Sequence, residues 1–347
     1  MVKQKAMILA GGMSTRLYPL TKQVPKPLVP VAGIPNAVNL IRYLKSHGCT
    51  EIAINVHYLA GQIVRELGDG AQFGVRLTYL HEESLLGSAG ALKQMQSFFE
   101  DDDFFVVGCD DLTDLPLDEL MAFHTSNAAI ETIGLVQREH VDQYGVVVRD
   151  ATGKITGFQE KPPAGTEQSK LVNTGIYAFT PEIFEHIPAR EFVDFGKNVF
   201  PALQQAAKPF FGFDARDAYW CDIGTIPEYR RASEDVIEGR FQIGGAELER
   251  IAASARIAQS ADLSGAVIVR SGAIIEENVV IVGPTTIDQG VRIRAGARVL
   301  GSIIWNGATI GERAVVENSI VGADYVVQPG VTITNAVVAN EESPALL

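Results

Sequence analysis

The residues best suited to chemistry lie near the start of the chain, in Leu9-Ala10-Gly11-Gly12-Met13-Ser14-Thr15-Arg16-Leu17-Tyr18-Pro19-Leu20-Thr21 and in Pro25-Lys26-Pro27-Leu28-Val29-Pro30. A strand that runs into two adjacent glycines can bring backbone N–H groups close to an anion, because no side chain stands in the way. Arg16 and Lys26 then add fixed positive charge, the guanidinium for bidentate contact with a phosphate and the ammonium as a compact charge on a phosphate being transferred. Prolines on both sides of Lys26 reduce the entropy lost in aiming it. A Gly-Gly pair alone would be only a turn; together with Arg16 and a proline-framed lysine it reads as a phosphate cradle.

This arrangement resembles the sugar-1-phosphate nucleotidyltransferases (nucleoside-diphosphate-sugar pyrophosphorylases), whose signature GGxGTRLxPxT followed by PKP is met at Gly11, Gly12, Thr15, Arg16, Leu17, Pro19, Thr21, Pro25, Lys26 and Pro27. Ser14 stands where that family commonly has glycine, and it is strained if the position needs φ > 0. Leu86-Gly87-Ser88-Ala89-Gly90-Ala91-Leu92 is similar to the family's LGTAGAL loop, which packs on the nucleotide base and ribose, with Ser88 keeping the hydroxyl of the usual threonine. Tyr144-Gly145-Val146-Val147, Glu160-Lys161-Pro162, Asn173-Thr174-Gly175-Ile176-Tyr177 and Trp220-Cys221-Asp222-Ile223-Gly224-Thr225 are similar to its sugar-phosphate and second-metal segments. The resemblance covers almost the whole chain. It implies a nucleoside triphosphate site on Leu9, Ala10, Gly11, Gly12, Thr15, Arg16, Lys26, Gly87, Ser88 and Gly90, and a sugar-phosphate site on Gly145, Glu160, Lys161, Asn173 and Gly175.

Asp110 follows the apolar strand Phe104-Phe105-Val106-Val107, and Asp222 follows Tyr219-Trp220-Cys221. A reaction between a triphosphate and a sugar phosphate needs its charge offset, and Mg²⁺ is commonly held by one or two carboxylates plus phosphate oxygens. The resemblance assigns that metal to Asp110 and Asp222. Where the family reads NGD, this chain has Gly108-Cys109-Asp110-Asp111, so two carboxylates compete for one position. Alignment favours Asp110, leaving Asp111 to point away or cap a turn. Cys109 and Cys221 each precede one of these aspartates, and two readings stand, a redox pair or buried inert hydrophobes, the second preferred.

The implied reaction is a single displacement in which a sugar-1-phosphate oxygen attacks the α-phosphorus and pyrophosphate leaves. The nucleophile is already anionic, so no general base is required, and positioning with charge stabilisation carries the catalysis. Arg16, Lys26, Asp110, Lys161 and Asp222 are the implied catalytic residues. Arg16 would hold the leaving pyrophosphate, Lys26 the phosphates near the reacting centre, Lys161 the sugar phosphate, and Glu160 with Asn173 the sugar hydroxyls. GTP with mannose-1-phosphate is the leading pair, because the PKPLVP segment, the LGSAGAL loop and the C-terminal repeats look most like mannose-1-phosphate guanylyltransferases. Glucose-1-phosphate with UTP or dTTP is the alternative, and an inactive regulatory subunit that senses a nucleotide sugar is the alternative of another class.

The elements that must hold these residues follow from hydrophobic patterning. Up to about Glu238, strands at Met7 to Ala10, Glu51 to Val56, Val75 to Leu80 and Phe104 to Gly108 alternate with helices at Val38 to Ser46, Gln62 to Leu67 and Ala91 to Phe99. Such alternation predicts an α/β, Rossmann-like, mainly parallel sheet with ligands beyond the carboxyl ends of its strands, in the loops after Leu9 and Gly108. After about Ile243 the period becomes six. Ile257, Leu263, Val269, Ile275, Ile281, Ile287, Ile293 and Val299 are aliphatic, small or β-branched residues stand two earlier, and turn formers mostly stand three later. That pattern predicts a left-handed parallel β-helix of hexapeptide repeats, with register slips near Ser302 and Ser319 read as loops or offset coils. The expected domains are therefore residues 1–240, catalytic, and 250–340, the β-helix.

All six histidines precede the repeats, which argues against an acyltransferase and favours a packing module that makes homo-oligomers. With 29 Lys+Arg against 42 Asp+Glu, a net charge of −13 and no basic run, neither nucleic acid nor an anionic membrane is an expected partner. The apolar run after Lys5 stops at Gly11, too short for a signal peptide, and three cysteines without a CxxC spacing suit a reducing cytoplasm.

Overall fold

The structure, a computed structural model, describes residues 4–243 and 248–340. The chain runs through β1 (Gln4–Leu9), the two-stranded hairpin β2 (Pro30–Val31) and β3 (Ile34–Pro35), α1 (Asn36–Ser46), β4 (Cys49–Val56), α2 (Ala60–Leu67), β5 (Arg76–His81) and α3 (Gly87–Gln94). There follow β6 (Phe104–Gly108), β7 (Asp111–Thr113), α4 (Leu117–Ser126), β8 (Glu131–Gln137), β9 (Gly145–Arg149), β10 (Ile155–Glu160) and β11 (Leu171–Phe179). Then come α5 (Phe200–Gln205), β12 (Phe210–Asp214), β13 (Trp220–Asp222) and α6 (Ile226–Ile237), before fifteen short strands that make up the rest.

Ala6, Met7 and Ile8 are fully buried, as a central parallel strand covered on both faces requires. The main sheet is ordered β10-β9-β11-β6-β1-β4-β5, with β8 beside β11 and β12 beside β8. The strands β6, β1, β4 and β5 are mutually parallel, whereas β11 runs antiparallel to β6, β8 and β9 and begins an antiparallel wing. Leu9 is paired with Gly108, so the loops after β1 and β6 leave the same sheet edge side by side, where ligands are expected. Phenylalanines fill much of the core beneath: Phe99 stacks on Phe104 at 4.3 Å, and Phe195 lies 5.3 Å from Phe179 and 5.9 Å from Phe200. One helix differs from expectation. It starts at Gly87 rather than Ala91 and ends at Gln94, so the LGSAGAL segment is the first part of a helix rather than a loop.

The repeats form three parallel five-stranded sheets, the walls of the triangular left-handed β-helix that the hexads predict. Arg256 pairs with Ile274 and Ile274 with Arg292, eighteen residues apart, or three hexads per coil. From Val267 onward the inward positions of the hexads are filled: Val269, Ile275, Ile281, Ile287, Ile293 and Val299 are buried together with Val267, Ala273, Val279, Val291 and Ala297. Beyond that, Arg292 pairs with Thr309 and Thr309 with Val326, so the later coils have seventeen residues. The register slips are thus single deletions at one corner. Buried hydroxyls fill the gap: Ser302 N donates to Thr285 Oγ1 at 3.2 Å, Ser319 N to Ser302 Oγ at 3.0 Å, and Ala336 N to Ser319 Oγ at 3.1 Å.

By contacts the chain forms two compact units, Met1–Gly12 with Ala37–Asp222 and Met13–Asn36 with Ile223–Leu347, in their described parts. This division differs from a boundary at residue 240. The reason lies in the second unit, where α6 and the segment 13–36 pack with the repeats. Thr225 caps α6 by accepting from Glu228 N at 3.5 Å, Pro227 occupies its first turn, and Tyr229, Ala232, Ser233, Val236 and Ile237 form its buried face. From its other side Arg230 donates to Gly301 O and Asn318 Oδ1. No helix among the described residues is long and apolar enough to cross a membrane.

Candidate active site

In the first unit, the end of β1 is fixed from beneath by two side chains that motif reading missed. Ala10 N donates to Asn55 Oδ1 at 2.9 Å, Asn55 Nδ2 donates to Glu82 Oε2 at 2.6 Å, and Leu86 N donates to Glu82 Oε1 at 3.1 Å. Both side chains are buried, so the relay ties the Leu9-Ala10-Gly11-Gly12 segment to the start of α3 without competition from water. A Cβ on Gly11 would stand 2.6 Å from Glu82 Oε2 and 2.8 Å from Asn55 Nδ2, so glycine is required there by packing; Gly12 is exposed and has open space around it. The signal was present in the sequence: Asn55 is a polar residue in an apolar strand, at the carboxyl end that faces the candidate site.

Gly87, Ser88 and Gly90 lie in the first turn of α3, against the segment 191–195. Ala89 N and Gly90 N both donate to Val193 O, at 3.0 and 3.1 Å, and Val193 N donates to Leu86 O at 2.8 Å. Gly87 has φ +78°, and a Cβ there would lie 2.4 Å from Val193 O; on Gly90 it would lie 2.9 Å from Glu191 O. Ser88 Oγ donates to Asp194 Oδ2 at 3.2 Å and accepts from Phe195 N at 3.0 Å. The two glycines therefore let the 191–195 segment approach α3.

The aspartates gather where β7 and β13 pair. Asp222 is the Cα partner of Asp111, which places it one residue from Asp110. Asp111 is buried; its Oδ2 accepts from Gly108 N and its Oδ1 from Trp220 Nε1, each at 2.9 Å. It caps the turn. Burial, then the charge of Asp110, and further the charge of Asp222, hold the Asp111 carboxyl well above the usual carboxylate range, against hydrogen bonds from Trp220 and Gly108. A Cβ on Gly108 would lie 3.0 Å from Asp110 Oδ1 and 2.9 Å from Asp111 Oδ2, so two carboxylates crowd one small residue. No cluster of three or more metal-ligating side chains occurs among the described residues. Two carboxylates with hard oxygen donors still fit Mg²⁺, which completes its shell with phosphate oxygens and water. Cys109 and Cys221 are buried and form no disulfide, and Trp220 is held by the Arg138 guanidinium 5.2 Å over its ring and by Tyr144 edge-on at 5.3 Å.

The sugar-phosphate candidates come together through strand pairing. Glu160 is the partner of Gly145 across β10 and β9, and Lys161 N continues the ladder to Tyr144 O at 3.1 Å. Lys161 has φ +46°, a left-handed residue that ends β10. On β11, Asn173 donates from Nδ2 to Tyr177 OH at 3.1 Å and accepts at Oδ1 from Gly175 N at 2.8 Å. Gly175 has φ +80°, and a Cβ there would lie 3.4 Å from Asp111 Oδ2, linking this segment to the aspartates.

In the second unit, Thr15 and Arg16 are exposed on a short 3-10 turn (Thr15–Leu17) anchored by buried Leu17. Ser14 has φ +53° and ψ +47°, the left-handed conformation that glycine adopts freely, so the suspected strain at this position is real. Lys26 opens a second such turn (Lys26–Leu28), half-buried between two buried prolines.

A profile described as nucleotidyl transferase matches residues 5–239, more than half of the chain. The chain belongs to the nucleotidyl transferase family. A second profile, described as GMPPB C-terminal domain, matches residues 263–344 of this nucleotidyl transferase. Among its relatives is a UTP–glucose-1-phosphate uridylyltransferase from Synechocystis sp., 37% identical over 93% of this chain and 88% of that protein. A mannose-1-phosphate guanylyltransferase from Mycobacterium tuberculosis is 31% identical over 90% of this chain and 82% of that protein. A crystal structure of a putative glucose-1-phosphate thymidylyltransferase from Bacillus anthracis has a TM-score of 0.59 and 27% identity, covering 66% of this chain and 94% of that one. The nucleotidyl transferase is thus an enzyme acting on a nucleoside triphosphate and a sugar-1-phosphate, and its family generally uses a divalent metal.

Proposed function

We propose that the protein transfers guanylyl from GTP to mannose-1-phosphate, forming GDP-mannose and releasing pyrophosphate. The observation that carries this choice is the match of residues 263–344 to the GMPPB C-terminal domain, supported by relatives named mannose-1-phosphate guanylyltransferase in Mycobacterium tuberculosis and, as probable, in Oryza sativa, each matched over most of its length. A second reading, UTP with glucose-1-phosphate, is favoured by the 37% identity to the Synechocystis uridylyltransferase.

In either case a sugar-phosphate oxygen attacks the α-phosphorus as the bond to the bridging oxygen breaks, and the electron pair leaves with pyrophosphate. Backbone amides at Gly11 and Gly12 cradle the triphosphate, Arg16 holds the leaving pyrophosphate and Lys26 the phosphates at the reacting centre. Lys161 holds the sugar phosphate, and Glu160 and Asn173 take sugar hydroxyls. Asp110 and Asp222 would hold Mg²⁺, which would supply charge neutralisation for the phosphates. Asp111 keeps the turn that aims Asp110. The protein would act in the cytoplasm, in keeping with cysteines that form no disulfide, and as a homo-oligomer joined through the β-helix.

The test is pyrophosphate release across the common nucleoside triphosphates and several sugar-1-phosphates with Mg²⁺. The highest kcat/KM is expected for GTP with mannose-1-phosphate. A maximum at UTP with glucose-1-phosphate selects the second reading, and no release from any pair selects the regulatory one. Lys26→Ala and Asp222→Ala should each lower kcat by roughly 100-fold or more while circular dichroism stays unchanged. Near-normal kcat in either would sink the site assignment.

A further inference from the structure

The hairpin that follows Lys26 is gripped at two points within the second unit. Its tip is a two-residue loop, Ala32-Gly33, between Pro30↔Pro35 and Val31↔Ile34 pairs, with φ +50° and +73° as a type I′ turn demands. Arg270, on the β-helix, donates from both Nε, at 2.8 Å, and Nη2 to Ala32 O. The fit is tight: a Cβ on Gly33 would stand 2.6 Å from Arg270 Cγ and 3.0 Å from Asp288 Oδ1. The second grip is a relay of buried groups. Trp305 Nε1, at a coil corner, donates to Tyr229 OH at 2.8 Å, and Tyr229 OH donates to Pro30 O at 2.7 Å. Both rings are essentially fully buried and meet edge-on at 89°. From Pro30 the path to the lysine is short, because Val29 N donates to Lys26 O at 3.1 Å and Asn36 N to Val29 O at 3.0 Å.

We infer that the β-helix positions the catalytic lysine: Arg270 on the hairpin tip, and Trp305 through Tyr229 on Pro30, hold the backbone from which Lys26 projects. These are positioning residues, since none touches substrate in this reading. A two-stranded hairpin of two residues per strand has no independent stability, so its place is set by what it docks on. Misplacement of a charged group by about 1 Å costs a large factor in rate when catalysis rests on alignment. The β-helix then has a task in the reaction beyond packing and assembly. The inference rests on the proposed role of Lys26.

The experiment compares Arg270→Met, Arg270→Lys and Tyr229→Phe with Arg294→Met, which removes an exposed ion pair to Glu276 elsewhere on the same β-helix. Steady-state kinetics are measured well below each variant's melting temperature, alongside amide hydrogen exchange over residues 26–36. Arg270→Met and Tyr229→Phe are expected to lower kcat roughly tenfold or more with substrate KM within about twofold. Arg270→Lys, keeping one donor, should recover part of the loss, and Arg294→Met should match the parent. Exchange over 26–36 should rise in Arg270→Met and not in Arg294→Met. Parental kcat in Arg270→Met with faster exchange over 26–36 overturns the inference, as does an equal loss in Arg294→Met; if Tyr229→Phe does not fold, Arg270→Met decides alone. Lys26→Ala run in parallel separates the two claims. Turnover retained in Lys26→Ala removes the role of the lysine itself, whereas turnover lost there but kept in Arg270→Met removes only the role of the β-helix.

Discussion

His124 is fully buried, its Nδ1 lies 2.8 Å from Thr132 Oγ1, and burial lowers its pKa to about 4. The unfolded chain protonates this imidazole near the ordinary value of about 6.5, so acid favours unfolding. The contribution of His124 is complete above that pH and is lost as the pH falls towards the folded value. Denaturant titrations of the parent and of His124→Gln should therefore diverge between about pH 6.5 and 4, the parent losing on the order of 3 kcal/mol more. Parallel pH profiles would refute the assignment. The same physics separates Asp110 from Asp111. Adjacent in sequence, they differ in that Asp111 has both oxygens engaged in a buried turn. The sequence placed the two carboxylates side by side, but the Trp220 indole that engages Asp111 comes from 109 residues away. Asn55 and Glu82 were illegible as a pair for a related reason. Each is an ordinary polar residue at a strand end, and only the parallel pairing of β4 with β5 sets them within reach of each other.

At the scale of elements, periodicity carried most of the information. The hexads predicted the inward positions, the corners and the eighteen-residue length of the first coils, because each side of the coil repeats the same burial. Deletions at Ser302 and Ser319 were visible as slips, but their consequence depends on stacking. Ser302 Oγ donates to Leu300 O at 2.7 Å and accepts from the next coil's Ser319 N, so it replaces a missing residue by hydrogen bonding along the axis. Ser302→Ala leaves a buried N–H without its acceptor and should cost about 1–3 kcal/mol in equilibrium unfolding. A change below about 0.5 kcal/mol would show that the ladder is incidental. The start of α3 was missed because Gly87, Ser88 and Gly90 have weak helix propensity. Docking of 191–195 on that turn, which propensity does not see, overrides it.

For the molecule as a whole, the sequence grammar changes near residue 240. Packing divides the chain elsewhere, since residues 13–36 and α6 are held with the repeats by Arg270, Tyr229, Trp305 and Arg230. A chain truncated after residue 240 removes the partners of Ala32 O and leaves Tyr229 without Trp305. It should lose most turnover and expose the apolar face of α6, read as dye binding and aggregation in solution. A soluble truncated chain with parental kcat would contradict this. The net charge of −13 sits with anionic substrates without conflict, because charge at a site is a local property and the sum reflects the rest of the surface.

By itself the sequence determined the apolar runs of the strands, the six-residue period of the coils, the glycines at the sheet edge and the kinds of charged residue offered to phosphate. These are local, and neighbours along the chain suffice to specify them. Tertiary structure alone decided which carboxylate is buried, which amides α3 gives to Val193 and which partners hold the Lys26 segment. Each of those contacts joins residues tens to hundreds of positions apart. Their geometry exists only after the chain has closed on itself.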